Sequence, residues 1–550
     1  MNFKFFAEYY KSGKLKTASG PNDDFKLNVE ESSSGIKVTV VPAGEISFKK
    51  IFLEKNYLFS KESRIFSNGF QSWTDTKEFR ITDSMSRSGL LAKSPFGKIG
   101  GLDYVGDYNF IPESADKGVF HSHSYIYVRN GSSVELLGSL TDEKGYTIFV
   151  ADSNNSRIRV YKDLEGVKIG MPYTVFNLFS CEGTYDGVFD SYFEAMGVKP
   201  LSSEKIKGYT SWYNYYQNIN EKCIMRDLKA ISKYDEINVF QMDDGYQTAV
   251  GDWMSIDKKK FPNGIKCVAD AAHEANLAAG LWLAPFGAQK NSQLVKNHPD
   301  WLIKDRKGRP IQVGWNWGGF YALDIYHPDA RNYIKKVFNT VLNEWSYDLV
   351  KLDFLYAASI IPRKNKSRGE IAYDSIKLLR ECVGDKKILG CGVQMMPCFG
   401  IVDYMRVGAD MALSWKDTAL RKMMHREDVS TPGAILNSFY RRHLNNRAFL
   451  CDPDVFLLRS SNIKFTFEQQ KLLAKFIKLF GSVLFTSDDV STYSSEQKKC
   501  FKDTVSNTET QIISANENGG RVVVEFKDGS YTGKLDFNSK TGEIYSSVNY

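Results

Sequence analysis

The sequence predicts a multidomain protein with a central (β/α)8 TIM barrel, an N-terminal antiparallel β-domain and a small C-terminal antiparallel β-domain. Through about residue 195, apolar and polar residues alternate with a period of two. From Gly208, short apolar strands alternate with amphipathic helices, and after Ser487 the period of two returns. The length of 550 residues exceeds what one hydrophobic core supports, so several domains are expected.

The N-terminal domain is predicted from alternating segments such as 37–41 and 125–128, which turn signals separate at Ser34-Gly35 and Asn130-Gly131. We expect it to span residues 1–200. The C-terminal domain is predicted from the same alternation, with turns at 518–520 and 528–529. We expect it to span residues 488–550.

The barrel, expected at residues 201–487, is predicted from eight candidate strands with helical stretches between them. A doubly wound sheet fits less well, because no glycine-rich fingerprint follows the first strand. The candidate strands are 208–213, 237–243, 278–285, 347–354, 387–392, 402–410, 448–455 and 482–486.

Charge and hydropathy exclude several classes of protein. Lys plus Arg number 72 against 65 for Asp plus Glu, which is too dilute an excess for a nucleic-acid-binding surface. No stretch has the apolar length of a transmembrane helix, and residues 1–8 lack the apolar core of a signal peptide. We therefore expect a cytoplasmic protein, unless a cleaved leader precedes these residues. A homo-oligomer is compatible with the sequence, which does not determine the oligomeric state.

Cysteine and histidine usage argues against a metal centre. The 8 cysteines form no CxxC pair and no disulfide framework, which fits reduced thiols. The 7 histidines form no HExxH or other ligand pair. We expect no metal and no other cofactor.

Acidic residues end four of the eight candidate strands. Active sites of TIM barrels form at the carboxyl ends of the strands, so these side chains are candidates for chemistry. For any one acid alone, capping of the next helix is the favoured alternative. Four strands ending in Asp, two with a cation nearby, favour a sugar site instead. The acids are Asp243 and Asp244 on strand two, Asp353 on strand four, Asp410 on strand six, and Asp452 and Asp454 on strand seven.

Glycoside cleavage needs two carboxyl groups on opposite sides of the scissile bond. Asp353 and Asp410 end strands that lie two apart, which places them across a pocket. Lys351 shares the strand face of Asp353, and its positive charge is expected to keep that carboxyl ionised, as a nucleophile must be. Asp410 follows small and apolar residues and is expected to hold its proton longer, as an acid/base must.

Aromatic residues fall at or near strand ends and loops, where stacking on a sugar face is the functional interpretation. Core packing is the alternative, and it is favoured for any single tryptophan. By position Trp282 is the best candidate. The set is Trp73, Trp212, Tyr213, Trp282, Trp315 and Trp317.

At these residues the sequence resembles glycoside hydrolase family 36, the melibiase or α-galactosidase family, and specifically its compact bacterial and archaeal branch. The resemblance spans nearly the whole chain and implies a β-supersandwich, a catalytic barrel and a C-terminal β-sandwich. The matching stretches are FQMDDGY at 240–246, GDW at 251–253, GLWLAPF at 280–286, HPDW at 298–301, YALD at 321–324, VKLDFLY at 350–356, MRVGAD at 405–410 and CDPD at 451–454.

The resemblance also implies roles for single residues. Asp353 matches the nucleophile and Asp410 the acid/base of the family. Asp243 and Asp244 match the pair that binds the galactose O4 and O6 region. Further implied contacts are Lys351 and Arg406 to ring hydroxyls and Trp73, in NGFQSW at 68–73, to the pocket wall.

One departure concerns residues 389–396, LGCGVQMM, where many longer members carry a Cys- and Gly-rich segment ending in Arg near the sugar 2-position. It leaves open whether the enzyme takes galactose or N-acetylgalactosamine. The leading hypothesis is a retaining exo-α-galactosidase acting on small oligosaccharides such as melibiose or raffinose-type sugars. The alternatives are an α-N-acetylgalactosaminidase, an α-galactosyl transglycosylase and, from another class, a non-catalytic carbohydrate-binding protein.

Overall fold

A computed structural model describes residues 3–85, 116–417 and 428–546, which form two compact units. The N-terminal unit comprises Met1–Lys199, Tyr356–Leu379 and Gln394–Ile401. The barrel unit comprises Pro200–Leu355, Arg380–Val393 and Val402–Tyr550. The domain limits at residues 200 and 487 stay a prediction.

The N-terminal unit contains two antiparallel sheets, a six-stranded one in the order β2-β1-β5-β12-β11-β8 and a seven-stranded one in the order β3-β4-β13-β10-β9-β6-β7. The strands are β1 (Lys4–Lys11), β2 (Lys14–Ala18), β3 (Phe25–Glu31), β4 (Gly35–Pro42), β5 (Ile46–Asn56), β6 (Arg64–Ser67), β7 (Lys77–Arg80), β8 (Val119–His123), β9 (Tyr125–Asn130), β10 (Ser133–Ser139), β11 (Thr147–Asp152), β12 (Arg157–Lys162) and β13 (Tyr173–Gly183).

The period of two explains how these sheets pack. In β1 the side chains of Phe5, Ala7 and Tyr9 are buried while their neighbours are more exposed. They join one apolar core with residues of the seven-stranded sheet such as Val38 and Phe176. The predicted N-terminal β-domain is therefore confirmed. Helix α1 (Tyr185–Met196) follows β13 and ends at Gly197, whose φ of 65° is the left-handed conformation of a helix C-cap.

Two later segments of the chain complete the N-terminal unit. Ala372 packs in an apolar cluster with Phe70, Tyr146 and Ile148. Arg368 donates hydrogen bonds of 2.9 and 3.0 Å to the carboxylate of Asp163, and both side chains are buried. A unit that is continuous in space is thus assembled from three separate stretches of sequence.

The barrel unit contains an eight-stranded parallel sheet in the order β23-β22-β21-β20-β16-β15-β14-β24. A small antiparallel sheet, β17-β19-β18, lies between its third and fourth strands in the sequence. The strands are β14 (Ile206–Thr210), β15 (Val239–Met242), β16 (Ala278–Leu283), β17 (Gly287–Gln289), β18 (Gln312–Gly314), β19 (Phe320–Ala322), β20 (Leu349–Leu352), β21 (Lys387–Gly390), β22 (Tyr404–Arg406), β23 (Leu450–Asp452) and β24 (Val483–Thr486).

All eight predicted barrel strands are present; seven lie within their predicted ranges, and β14 overlaps its range but begins two residues earlier. The sheet nearly closes, because the Ser482 N–H before β24 donates a 2.9 Å hydrogen bond to the Cys451 carbonyl in β23. The helices are α2 (Trp212–Tyr215), α3 (Glu221–Ile231), α4 (Lys266–Glu274), α5 (Gln293–Asn297), α6 (Pro328–Asn339), α7 (Arg368–Val383), α8 (Thr431–Tyr440), α9 (Phe467–Phe480) and α10 (Ser495–Val505). None of the helices in the described ranges is long and apolar enough to span a bilayer.

The C-terminal segment forms one antiparallel sheet of β25 (Thr510–Asn518), β26 (Arg521–Asp528) and β27 (Tyr531–Asn538). The small antiparallel domain predicted from the sequence is confirmed. The β-sandwich implied by the resemblance is not seen, since residues 507–546 show this single sheet rather than two facing layers. Asp528 of β26 binds Lys475 and Lys478 of α9 at 2.8 and 2.9 Å, so the sheet packs on a helix instead.

Candidate active site

The carboxyl ends of neighbouring barrel strands gather the predicted polar side chains. Asp243 follows β15, Lys351 lies in β20, and Lys351 Nζ is 2.8 Å from Asp243 Oδ2 with both side chains buried. Burial alone would lower the pKa of Lys351, but the carboxylates of Asp243 and Asp353 raise it overall. Lys351 therefore stays charged inside the barrel.

Asp353 follows β20 and is almost fully buried. Its Oδ2 accepts a 3.2 Å hydrogen bond from the indole N–H of Trp282, and its Oδ1 accepts one of 2.8 Å from the Phe354 N–H. Burial raises the pKa of Asp353, Lys351 lowers it, and the charge of Asp410 raises it, with a net upward shift. Burial thus has a larger effect on the pKa of Asp353 than the Lys351 charge has. That Lys351 keeps Asp353 ionised stays a prediction.

Asp244 is held by side-chain amide and indole donors. Its Oδ2 accepts hydrogen bonds from Gln217 Nε2 at 2.7 Å and from Trp317 Nε1 at 2.9 Å. Burial raises the pKa of Asp244, while these donors lower it. The adjacent carboxylate of Asp243 is satisfied differently, by the Lys351 ammonium. Each acid of the pair thus has its own donors.

Trp317 is a site residue whose contact with Asp244 the sequence did not predict. It lies between β18 and β19 with φ of 56°, directly before Gly318 and Gly319, which also have positive φ. Its ring lies 6.0 Å from that of Trp282 and 4.9 Å from that of Phe354, centroid to centroid. The two glycines are the signal in the sequence, because they mark a tight turn that presents the indole inward.

Arg406, at the end of β22, joins three carboxylates. Its Nη1 donates to Asp410 Oδ1 at 2.8 Å, its Nε to Asp452 Oδ2 at 3.1 Å, and its Nη2 lies 2.7 Å from Asp454 Oδ1. The Arg406, Asp452 and Asp454 side chains are buried, whereas Asp410 is 34% exposed. Asp410 is therefore the carboxyl of this group that solvent or a ligand can reach.

A cleft of about 630 Å³ opens beside Asp410. Trp212 and Tyr213 both line it, and the ring of Trp212 stands edge-on to that of Tyr216 at 5.1 Å. Trp282 lies instead against Asp353. The remaining lining residues are Asn316, Met411, Ala412, Leu413, Ser414, Val429, Asn462, Ile463 and Lys464.

Trp73 belongs to the N-terminal unit, where its ring stands edge-on to that of Tyr356 at 6.0 Å. Its role in a pocket wall stays a prediction. No group of three or more His, Cys, Asp or Glu side chains suited to a metal ion occurs in residues 3–85, 116–417 and 428–546.

Parts of the sequence are similar to known proteins. Residues 206–377 match the family model described as Melibiase. A segment of 140 residues is 31% identical to the A type blood alpha-D-galactosamine galactosaminidase of Flavonifractor plautii, covering 23% of this chain and 13% of that protein. Another of 152 residues is 30% identical to alpha-galactosidase Mel36A of Lactobacillus acidophilus, covering 26% of this chain and 20% of that protein. The matched part of the chain thus spans a fifth or less of the length of these two relatives.

Solved structures are similar over nearly the whole chain. The alpha-galactosidase TtGalA of Thermus thermophilus, solved with p-nitrophenyl alpha-D-galactopyranoside, matches with a TM-score of 0.73 and 24% identity over 91% of this chain and 95% of that one. The family 36 alpha-galactosidase AgaA of Geobacillus stearothermophilus matches with a TM-score of 0.61 and 12% identity over 98% and 78%. Residues 206–377 therefore match the melibiase family model, and the chain as a whole has the fold of the solved family 36 α-galactosidases.

Proposed function

We propose that this protein is a retaining exo-α-galactosidase that hydrolyses terminal α-linked galactose from small oligosaccharides by double displacement. The observation that carries the proposal is the contrast between its two carboxyls. Asp353 is buried against Trp282, whereas Asp410 is held by Arg406 and is accessible from a cleft. The Lys351 charge and the Trp282 N–H favour the carboxylate form of Asp353 that attack on a sugar carbon needs, and the accessible Asp410 can reach the oxygen of a leaving group.

In the proposed first step, Asp353 attacks the anomeric carbon and the bond to the departing oxygen breaks while Asp410 gives that oxygen its proton. In the second step Asp410 takes a proton from water, and the water oxygen attacks the same carbon and releases Asp353. Each step inverts the configuration at the anomeric carbon, so the two steps together retain it and the product is α-galactose. The cleft beside Asp410 is where the leaving group lies in this scheme, because Asp410 must reach its oxygen.

The sugar 2-position decides between two related activities. Cys391, in the 389–396 segment, is buried, and its thiol lowers the pKa of Asp353 through a hydrogen bond. The Flavonifractor plautii relative is named a galactosaminidase. An α-galactosaminidase is therefore the second candidate. Nitrophenyl α-galactoside, α-galactosaminide and the N-acetyl analogue, tested side by side, distinguish the candidates.

We also propose a cytoplasmic location. All 8 cysteines are free thiols, and four of them are buried. Thiols kept free in this number are typical of a reducing compartment. The oligomeric state is open to measurement by light scattering on the purified protein.

The nucleophile is tested with Asp353→Ala, which removes the attacking carboxylate and is expected to abolish turnover of nitrophenyl α-galactoside. Azide fits the vacated space and should restore activity, giving the β-galactosyl azide because it attacks from the side of the nucleophile. The wild type should release α-galactose first, as followed by proton NMR.

Asp348→Ala is the matched control, because Asp348 precedes β20 at the opposite end of the same strand. It is expected to stay active and to gain nothing from azide. Substantial turnover by Asp353→Ala without azide, or release of β-galactose by the wild type, would contradict the proposal.

A further inference from the structure

Asp454 is the most tightly enclosed acid of the CDPD segment at 451–454. It lies two residues after β23, its side chain is 0% exposed, and its φ of 87° is in the left-handed region. Such a backbone conformation is unfavourable for a residue with a side chain and persists only where the surroundings fix it. The chain therefore holds this carboxyl in place at a cost in free energy.

The contacts of Asp454 converge on the neighbourhood of Asp410. Its Oδ2 accepts a 2.7 Å hydrogen bond from the N–H of Met411, the residue next to Asp410, and another from the Tyr213 hydroxyl. Its Oδ1 is 2.7 Å from Arg406 Nη2, as an ion pair rather than an aligned hydrogen bond. The buried carboxyl of Asp454 thus contacts the Met411 main chain, the Arg406 guanidinium and Tyr213 of the cleft wall.

Asp454 and Asp410 also interact electrostatically. The groups that face Asp454 are Arg406 from β22, Asp410 from the loop after it, Asp452 from β23 and Tyr213 from α2. Burial raises the pKa of Asp454, Arg406 lowers it, and the charges of Asp410 and Asp452 raise it again. One guanidinium thus serves three carboxyls, and a charge on Asp454 competes with a charge on Asp410 for it.

We propose that Asp454 is a positioning residue for Asp410: it fixes the Met411 main chain and the Arg406 guanidinium so that the Asp410 carboxyl faces the cleft, and it shares Arg406 with Asp410. The inference rests on the proposed function, in which Asp410 is the acid/base. Asp454 itself is enclosed and touches no substrate in this scheme.

The test is Asp454→Asn, which keeps the size of the side chain and removes its charge. With melibiose, whose leaving group needs a proton, the basic limb of the kcat/KM profile should move to lower pH, because Arg406 then pairs more fully with Asp410 and favours its charged form. The loss of kcat/KM should be about tenfold larger for melibiose than for nitrophenyl α-galactoside, because the nitrophenol leaving group needs little protonation. Tyr213→Phe removes a donor to Asp454 and should shift the limb in the same direction.

Asp227→Asn is the matched control, since Asp227 is also a buried acid that accepts from two tyrosine hydroxyls and an arginine. It should lower the melting temperature without moving the pH profile. Equal losses on both substrates for Asp454→Asn, or a wild-type pH profile, would overturn the inference. A wild type inactive on both galactosides, or an Asp410→Ala variant that loses both equally, would instead overturn the proposed function.

Discussion

Asp243 and Asp244 show how two adjacent carboxylates are kept inside a barrel. Asp243 pairs with Lys351, and Asp244 accepts from Gln217 and Trp317. Neighbouring charges disfavour each other, so each acid needs donors of its own. The other oxygen of each acid also accepts a hydrogen bond, Asp243 Oδ1 from the Asp244 N–H and Asp244 Oδ1 from Gln247, so a sugar hydroxyl would share these acceptors. The axial 4-hydroxyl of galactose is the group proposed to bind here, and glucose carries that hydroxyl in the equatorial position.

Replacing Asp244 with Asn tests this recognition. It weakens a charge-assisted hydrogen bond and should cost about 1.5–3 kcal/mol in kcat/KM on galactosides. The galactoside-to-glucoside ratio of kcat/KM should fall, because the acceptor that an equatorial hydroxyl misses has been weakened. Asp252→Asn is the control, since Asp252 only caps α5 through the Gln293 and Leu294 N–H groups. An unchanged ratio in folded Asp244→Asn protein would defeat the recognition hypothesis.

The sequence predicted which residues contribute to the candidate site better than it predicted their hydrogen-bond and ion-pair partners. The alternation of strand residues predicts Lys351 and Asp353 on one face, whereas the ion pair that Lys351 forms is with Asp243, which follows another strand. The contact of Trp317 with Asp244 depends on a left-handed turn, and the contacts of Asp454 depend on residues more than 40 positions away. Hydrophobic periodicity and short sequence motifs do not show which residues so far apart in the sequence are in contact.

Helix α9 and strand β26 are joined by buried charges. Lys475 and Lys478 are each 2% exposed and share Asp528 as a partner. Burial opposes the charge of Asp528, but hydrogen bonds from both lysines lower its pKa to about 2. The sequence predicted a C-terminal antiparallel β-domain but not this connection, because alternation and turn signals do not specify ion pairs with a helix elsewhere in the chain.

Asp528→Asn should lower the free energy of unfolding by about 3 kcal/mol, since it leaves buried lysines undercompensated. In the wild type, the stabilisation that Asp528 provides should be fully present above about pH 4, the usual pKa range of an Asp carboxyl in the unfolded chain. It should be lost as the pH falls towards 2, the pKa of Asp528 in the folded protein. Urea unfolding at pH 7 and pH 2.5 measures both effects. The half-exposed Asp270, paired with Lys266, is the control, and Asp270→Asn should cost less than about 1 kcal/mol. Equal effects of the two variants at pH 7 would contradict the prediction.

At the scale of the whole chain, the barrel is predicted well from the sequence, whereas the return of two later segments to the N-terminal unit is not predicted. Eight strands could be found because each is a short apolar run followed by a helix. The assignment of residues 356–379 and 394–401 to the N-terminal unit could not be read from the sequence, since Ala372 reaches Phe70 and Tyr146 only in three dimensions.

A fragment of residues 1–200 should therefore be less stable than the same unit in the full chain. It lacks Arg368, which pairs with the buried Asp163, and Ala372, which covers Phe70. We expect a lower melting temperature by circular dichroism and stronger fluorescence of a dye that binds exposed apolar surface. A fragment that melts as cooperatively as the full chain, without dye binding, would show that the predicted limit at residue 200 describes an independent domain.

The divided N-terminal unit also affects how the protein is made. Its sheets are synthesised by residue 199, yet their last partners, at residues 394–401, emerge from the ribosome about 200 residues later. At a typical translation rate that interval is about 10–40 s. For most of that time Asp163 has no Arg368 and the cluster around Tyr146 lacks Ala372. The nascent chain therefore carries an unfinished β-domain for much of its translation, and this is the stage at which chaperone binding is expected.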